Sequence, residues 1–131
     1  MDAPMVFMVR FFQLVSEHKF AEAERVLERI HARMKSSGRK EFNRGYLDAL
    51  NGIILSFRSS SGSYEFFSNL DLNDVAALKK HYEDFERNAK SRFQADYDRG
   101  YFSALSDFLR VIIKINNKAE VEDQIKMESS Q

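Results

Sequence analysis

Arg44-Gly45-Tyr46, with Ala49-Leu50 after it, is a segment that the chain contains twice: it returns 55 positions later as Arg99-Gly100-Tyr101, with Ala104-Leu105 after it. Around both copies, apolar residues recur at the three- and four-residue spacing of an amphipathic helix. A segment that recurs at a fixed offset with its apolar surroundings indicates a duplicated supersecondary unit. We therefore predict that two similar helical hairpins form most of the chain.

The predicted hairpins cover about residues 20–58 and 75–113. The first turns at Ser36-Ser37-Gly38, whose glycine is expected to take the left-handed conformation of a helix C-cap. In the second hairpin, the apolar stripe of the first helix, which includes Phe93, continues into the second helix in almost the same phase. We favour a turn near Ser91, and one long helix remains the alternative. Two facing hairpins make a four-helix bundle. With an N-terminal apolar helix added, the sequence predicts an all-α bundle of four to five helices.

The repeated glycine has a structural interpretation. A glycine inside a helix costs about 1 kcal/mol relative to alanine, so a glycine at the same place in both copies predicts a close helix crossing at Gly45 and Gly100. Tyr46 and Tyr101 would fill the space beside the crossing and hydrogen-bond through their hydroxyl groups. The alternative is a paired ligand site in which both Arg-Gly-Tyr units bind an anion.

The N-terminal helix, about residues 4–17, is apolar in nearly every direction, so one buried face would not cover it. Either the other helices surround it, which we favour, or it lies in a subunit interface. A second apolar cluster follows the flexible linker 59–63 and is interpreted as a lid over the bundle or a docking motif. Asp71, after this cluster, is expected to cap the next helix. The interface candidates are the aromatic residues of the two apolar segments: Phe7, Phe11, Phe12, Tyr64, Phe66 and Phe67.

The composition limits the function classes. Twenty basic and 20 acidic residues cancel, so no global field attracts nucleic acid or membrane. The chain has no cysteine, which excludes disulfides, thiolate metal sites and a cysteine nucleophile, and fits a reducing cytoplasm. Arg10 interrupts an apolar run that is about half the ~20 residues needed to span a bilayer. We expect a cytoplasmic protein with one domain at residues 1–117 and a frayed or disordered tail at 118–131.

Two short patterns are similar to those of enzymes. Arg25 and His31 resemble the Arg-x(4–6)-His pattern of HEPN ribonucleases over seven residues, and this resemblance implies RNA cleavage by the two side chains together. Glu28-x-x-His31 has the spacing of di-iron helical bundles, and the second copy carries Glu83 and Glu86 at the corresponding places. On an undistorted helix Arg25 and His31 lie roughly 120° apart. We assign no catalytic residue, no metal ligand and no cofactor.

Basic residues concentrate around the first turn. Arg25, Arg29 and Arg33 recur every four residues, opposite the apolar stripe of their predicted helix. Like charges at this spacing destabilise a helix slightly, so helix stability does not account for them, although a solvated face remains the simplest interpretation. The candidate anion- or partner-binding residues are Arg25, Arg29, Arg33, Lys35, Arg39 and Lys40.

The sequence thus favours a non-enzymatic helical interaction or assembly module that binds a protein partner or a second copy of itself as a homodimer. The first alternative is an RNA- or ribosome-associated protein that binds through the basic helix face. The second is a HEPN-like ribonuclease. No membrane contact and no small-molecule substrate is inferred.

Overall fold

Five α-helices make up the described part of the chain, and no strand occurs within that part. The computed structural model describes residues 5–36, 38–58 and 70–129. The helices are α1 (Met5–Ser16), α2 (Phe20–Met34), α3 (Lys40–Arg58), α4 (Val75–Lys90) and α5 (Asp96–Ser129). They pack around a common core, so the predicted all-α bundle is confirmed. No helix within the described ranges is long and apolar enough to cross a membrane.

The apolar helix α1 lies inside the bundle and contacts α2, α3 and α5. Met8, Phe11 and Phe12 are buried on its inner surfaces, and the ring of Phe12 packs edge-on against Phe108 of α5 at 5.5 Å. The interface prediction is wrong for Phe11 and Phe12, because both are 0% exposed and belong to the core. The apolar character of α1 is therefore explained by the helices that surround it, which is the alternative that we favoured over a subunit interface.

The two hairpins differ in how their helices pack. α4 packs extensively along α5, whereas α2 makes its main contact with α1 and a much smaller one with α3. The repeated segment therefore lies in two hairpins with different neighbours. A duplication with a 55-residue offset remains a prediction from the sequence.

The chain breaks between α4 and α5 at residues 91–95, as the favoured turn requires. Ser91 ends α4 with an extended backbone, φ −72° and ψ 124°. Asp74, and not Asp71, caps the start of α4, because its side chain accepts the N–H of Ala77 at 3.1 Å. The Asp71 side chain instead closes a turn by accepting the backbone N–H two residues further on, at 2.9 Å.

His18, and not Gly38, takes the left-handed conformation next to a helix end. His18 has φ 60° and is the one non-glycine residue with positive φ in the described chain. The N–H of Lys19 donates to the carbonyl of Leu14 at 2.9 Å, and that of His18 donates to Val15 at 3.0 Å. This pattern is a Schellman motif. The cap predicted at Gly38 is wrong, because α2 ends in right-handed conformation and no described glycine has positive φ.

α5 continues beyond the core as an exposed helix. Val121, Ile125 and Met127 are 55%, 59% and 70% exposed there. No Gly or Pro interrupts the segment, so nothing in the sequence ends the helix earlier. α5 runs to Ser129, through most of residues 118–131, for which the sequence predicts a frayed or disordered tail.

Candidate functional site

Gly45 and Gly100 lie where α3 and α5 cross. A Cβ atom on Gly45 would overlap the carbonyl oxygen of Tyr97, and one on Gly100 would overlap the carbonyl oxygen of Phe42. The contacts are reciprocal, because Phe42 and Tyr97 each stand three residues before the glycine of their own helix. The two backbones approach more closely than a residue with a side chain permits.

Tyr46 of the repeated segment is buried beside this crossing, with only 3% of its surface exposed. Its hydroxyl donates a 2.8 Å hydrogen bond to Asp107 Oδ2 of α5 and lies 3.0 Å from Met8 Sδ of α1. Tyr101, at the equivalent place in the second copy, is half-buried and stacks on Tyr97 at 6.4 Å. The equivalent tyrosines therefore have different surroundings.

The two arginines of the repeated segment each pair on their own helix. Arg44 binds Glu41 at 3.0 Å and packs over the ring of Tyr97 at 4.9 Å. Arg99 pairs with Asp96, three residues earlier. These pairings give no support to the alternative of a joint anion site built by both Arg-Gly-Tyr units.

A cavity of about 430 Å³ opens beside the crossing, and side chains from all five helices line it. This volume lies in the range of about 300–1,000 Å³ that is typical of small-molecule sites. Thioethers form much of its apolar wall, from Met5, Met8 and Met34. Its polar groups include those of Tyr46, Tyr82, Glu86, Lys90, Asp107 and Arg110.

The inner end of the cavity carries a hydrogen-bonded network across α3 and α5. Asp107 accepts the Tyr46 hydroxyl on Oδ2 and the Arg110 guanidinium on Oδ1, the latter at 3.2 Å. Its side chain is 21% exposed and that of Arg110 is 36% exposed. Burial raises the pKa of Asp107, although the Tyr46 hydrogen bond and the Arg110 charge act against the shift. Burial and the nearby Asp107 charge raise the pKa of Tyr46 well above its usual value.

A second polar group lies on the α4 wall of the cavity. Lys90 Nζ donates to Glu86 Oε1 at 2.6 Å, one helical turn away. This bond, together with a hydrogen bond from the Tyr82 hydroxyl, lowers the pKa of Glu86. Arg39 completes the charged lining and packs over the ring of Phe42 at 3.7 Å. The cavity therefore has three cationic and two anionic side chains.

Asn43, another lining residue, has an incompletely satisfied side chain. It is 4% exposed, and its Nδ2 donates to the carbonyl of Met34 at 3.3 Å. Its buried Oδ1 has no hydrogen-bond partner among the described residues. A buried acceptor without a donor costs about 1–3 kcal/mol, so a donor that reached this atom would be favoured.

The predicted basic residues are exposed, and of the six only Arg39 lines the cavity. Within the described ranges, Arg25, Arg29 and Arg33 form no salt bridge: Arg25 Nε donates to the Ala21 carbonyl of its own helix at 3.4 Å, and Arg33 packs over the Phe7 ring at 5.0 Å. Arginines elsewhere on the surface do form salt bridges, namely Arg10, Arg44, Arg58, Arg87, Arg99 and Arg110. We call the surface formed by Arg25, Arg29 and Arg33 the basic face of α2.

The remaining interface candidates divide into two groups. Phe7 is half-buried under Arg33, and Tyr64, Phe66 and Phe67 lie outside the described residues. Phe93, which the stripe placed on an inner helix face, instead lies in the turn after α4 and is 93% exposed. That placement is wrong because the turn at residues 91–95 changes the direction of the chain before Phe93 can reach the core.

The residues of the enzyme-like patterns lie away from the cavity, with one exception. Arg25, Glu28 and His31 are exposed on α2, whereas Glu86 belongs to the cavity wall. In the part of the chain that the structure describes, no group of three or more His, Cys, Asp or Glu residues could hold a metal ion. No catalytic arrangement is built from these residues.

Comparison with known proteins finds no protein-family model that matches the chain. No curated protein and no solved structure matches it either. A functional proposal for this chain therefore depends on its own residues and their geometry.

Proposed function

We propose that this chain is a non-enzymatic helical interaction module that binds an acidic protein surface through the basic face of α2. The observation that carries the proposal is the difference in pairing among the surface arginines. Arg25, Arg29 and Arg33 have no carboxylate partner in the described chain, whereas six other arginines have one.

Of the three acidic residues of α2, two pair with arginines of other helices, and Glu28 is exposed and forms no salt bridge within the described ranges. Glu22 pairs with Arg10 of α1 at 3.8 Å, and Glu24 pairs with Arg58 of α3. Since like charges four residues apart on a helix repel one another, the three arginines weaken α2 until an anionic partner binds. A partner with carboxylates at matching positions would remove this repulsion.

The geometry of the face suits a protein partner. Arg25 and Arg33 lie eight positions apart on the helix, a length of about 12 Å at 1.5 Å per residue. Guanidinium groups bind carboxylates in a bidentate manner, and arginine and aromatic residues are enriched in protein interfaces. The ring of Phe7 under Arg33 supplies an aromatic contact at one end of the face.

A second copy of the chain would also offer carboxylates. Glu122, Asp123 and Glu128 are exposed on the part of α5 that extends beyond the core. Self-association through the basic face of α2 is therefore the homodimeric form of the same proposal. Sedimentation equilibrium of the unmodified chain and of the charge-reversed variant described next separates it from binding to a different protein.

The test compares binding of a fluorescently labelled poly-glutamate peptide with binding of labelled single-stranded and duplex RNA. The variant is Arg25→Glu, Arg29→Glu and Arg33→Glu combined, and the matched control reverses Lys80, Arg87 and Lys118, which are exposed elsewhere. We expect the first variant to bind the peptide about tenfold or more weakly, because it loses three charge-assisted contacts. The control should bind as the unmodified chain does.

Two results would overturn the proposal. Equal loss in both variants would mean that net charge, and not this face, attracts the peptide. Tighter binding to RNA than to the peptide, with a steep salt dependence that the first variant abolishes, would assign the face to nucleic acid instead.

A further inference from the structure

We propose that a second copy of this chain packs antiparallel against the exposed end of α5, so that the two helix ends form a short coiled coil. The contact is separate from the basic face of α2 and does not depend on the partner proposed above. It rests on the spacing of the exposed side chains along α5 and on the charges at the two ends of that spacing.

One side of α5 carries an exposed stripe with heptad spacing. Its members are Lys114, Lys118, Val121, Ile125 and Glu128, and all five are exposed. The intervals between them alternate between four and three residues, which is the spacing of the contact positions of a left-handed coiled coil. We call this stripe the α5 seam. Its two apolar side chains, Val121 and Ile125, are more than half exposed, and neither belongs to the core or packs against it.

An antiparallel twofold axis at Asp123 makes the α5 seam complementary to itself. Val121 and Ile125 stand two positions on either side of Asp123, and Lys118 and Glu128 stand five positions on either side. Because the axis exchanges positions at equal distances from it, Val121 faces Ile125 of the second copy and Lys118 faces its Glu128. Each of these contacts occurs twice in such an isologous interface. The dimer therefore gains two apolar layers, with an ion pair beyond each of them.

The charges of the α5 seam specify the antiparallel orientation. Within the described ranges, neither Lys118 nor Glu128 forms a salt bridge, so both are available to a second copy. A parallel pair would place each of these residues against the same residue of the second copy, and like charges at facing positions repel. Exposed ion pairs add little affinity, but charged side chains at a coiled-coil contact select partner orientation and register.

The small size of the contact limits its strength. The α5 seam spans two heptads, about 20 Å at 1.5 Å per residue, and two of its five side chains are apolar. Glu122 follows Val121 directly, so the Glu122 side chains of the two copies approach each other near the axis and oppose the association. A contact of this size is smaller than the interface of a stable dimer, and we expect a dissociation constant on the order of 0.1–1 mM.

Charge reversal tests the pairing, with sedimentation equilibrium of the full chain at concentrations up to about 1 mM. Lys118→Glu and Glu128→Lys, each alone, place like charges opposite each other and should weaken self-association several-fold or abolish it. The variant that combines both substitutions restores opposite charges and should associate as the unmodified chain does. An equimolar mixture of the two single variants should also associate, because both ion pairs of the mixed dimer join opposite charges.

Two controls separate this contact from other effects of charge. Lys80→Glu and Glu28→Lys change the net charge by the same amounts at exposed positions outside α5, and each should associate as the unmodified chain does. The triple reversal of the basic face of α2 should also leave this association unchanged. Circular dichroism of each variant should match that of the unmodified chain.

Disulfide trapping tests the orientation directly, because the chain has no cysteine of its own. Val121→Cys and Ile125→Cys place thiols at positions that face each other across the proposed axis. When the two variants are mixed in equal amounts and mildly oxidised, the disulfide between the different variants should exceed its statistical share.

Three outcomes would overturn the inference. A chain that stays monomeric throughout the concentration series does not form this contact. Self-association that persists in both Lys118→Glu and Glu128→Lys, or that only the reversal of the α2 face removes, would place the interface elsewhere. A mixed disulfide no more abundant than its statistical share would exclude the antiparallel register.

Discussion

Gly45 of α3 lies directly against Tyr97 of α5, with the carbonyl oxygen of Tyr97 in the space that a Cβ on Gly45 would occupy. An alanine in the interior of a helix is ordinarily about 1 kcal/mol more favourable than glycine. Here the opposing group is backbone and cannot rotate away, so α3 and α5 would have to separate. We expect Gly45→Ala to lower the free energy of unfolding by about 1–3 kcal/mol, the usual cost of overpacking, measured by urea denaturation.

Two comparisons make this prediction specific. Gly38→Ala should be neutral or stabilising by up to about 1 kcal/mol, because Gly38 has nothing within 4 Å and no positive φ. Gly100→Ala should be as harmful as Gly45→Ala. The double variant should cost less than the sum, because one separation of the helices accommodates both methyl groups. A stabilised Gly45→Ala protein would contradict the close crossing.

The left-handed backbone of His18 predicts a difference between two substitutions. His18→Ala and His18→Gly both remove the imidazole ring, which lies 5.4 Å from Phe20 and 6.2 Å from Phe57. They differ in the cost of φ 60°, which glycine adopts freely and alanine does not. The glycine variant should therefore be more stable by about 1 kcal/mol, as measured by thermal unfolding. Equal stabilities would show that residue 18 does not keep this conformation in solution.

The raised pKa of Asp107 predicts the sign of a pH effect. Since the folded protein holds the Asp107 proton more tightly than the unfolded chain does, stability falls as pH rises from the usual value near 3.8 through the raised value. Asp107→Asn removes this contribution. We expect the unfolding free energy of the unmodified chain to decrease relative to the variant across that window, measured by urea denaturation at several pH values.

Tyr46→Phe provides the second measurement for Asp107. The Tyr46 hydroxyl stabilises the carboxylate, so its loss should raise the pKa of Asp107 further and extend the decrease in stability to higher pH. If the stability of the unmodified chain instead rose relative to that of Asp107→Asn over the same pH window, the pairing with Arg110 would lower the pKa of Asp107 by more than burial raises it.

Asp48 controls the ionisation of Tyr97. The Tyr97 hydroxyl donates a 2.6 Å hydrogen bond to Asp48 Oδ2, and this bond raises the pKa of Tyr97 from 10.0 to about 12. Asp48→Asn should lower that pKa, because the charge that opposes phenolate formation is gone. Ultraviolet absorbance titration measures the shift, and Tyr97→Phe identifies the tyrosine responsible. Unchanged titration in Asp48→Asn would mean that the two side chains are not bonded in solution.

Local patterns account for the helices and for the position of the crossing glycines. The apolar spacing of residues 20–58 depends only on side chains three and four positions apart. The ends of α2 and α3 could therefore be predicted to within one or two residues. The cost of a helical glycine, present in both copies, pointed to a close approach at Gly45 and Gly100. The predictions for the helix ends were less accurate. Asp74, and not Asp71, caps α4, and His18, and not Gly38, has the left-handed conformation.

The cavity could not be predicted from local sequence patterns. Asp107 and Arg110 look like an ordinary pair on one helix, and Tyr46 meets Asp107 only because α3 and α5 cross where they do. The sequence feature that comes nearest to indicating the cavity is Asn43, a polar residue close to the inward positions of its helix.

The sequence by itself determined the helical class, the approximate lengths of α2 and α3, the basic stripe of α2 and the need for two small residues at a crossing, because each depends on neighbours within one or two turns. The tertiary structure decided that α1 enters the core, that Phe93 is exposed, and that Tyr46, Asp107 and Glu86 line one cavity. These outcomes depend on the angles and order in which helices pack. Many side chains share in setting those angles, and no single local pattern specifies them.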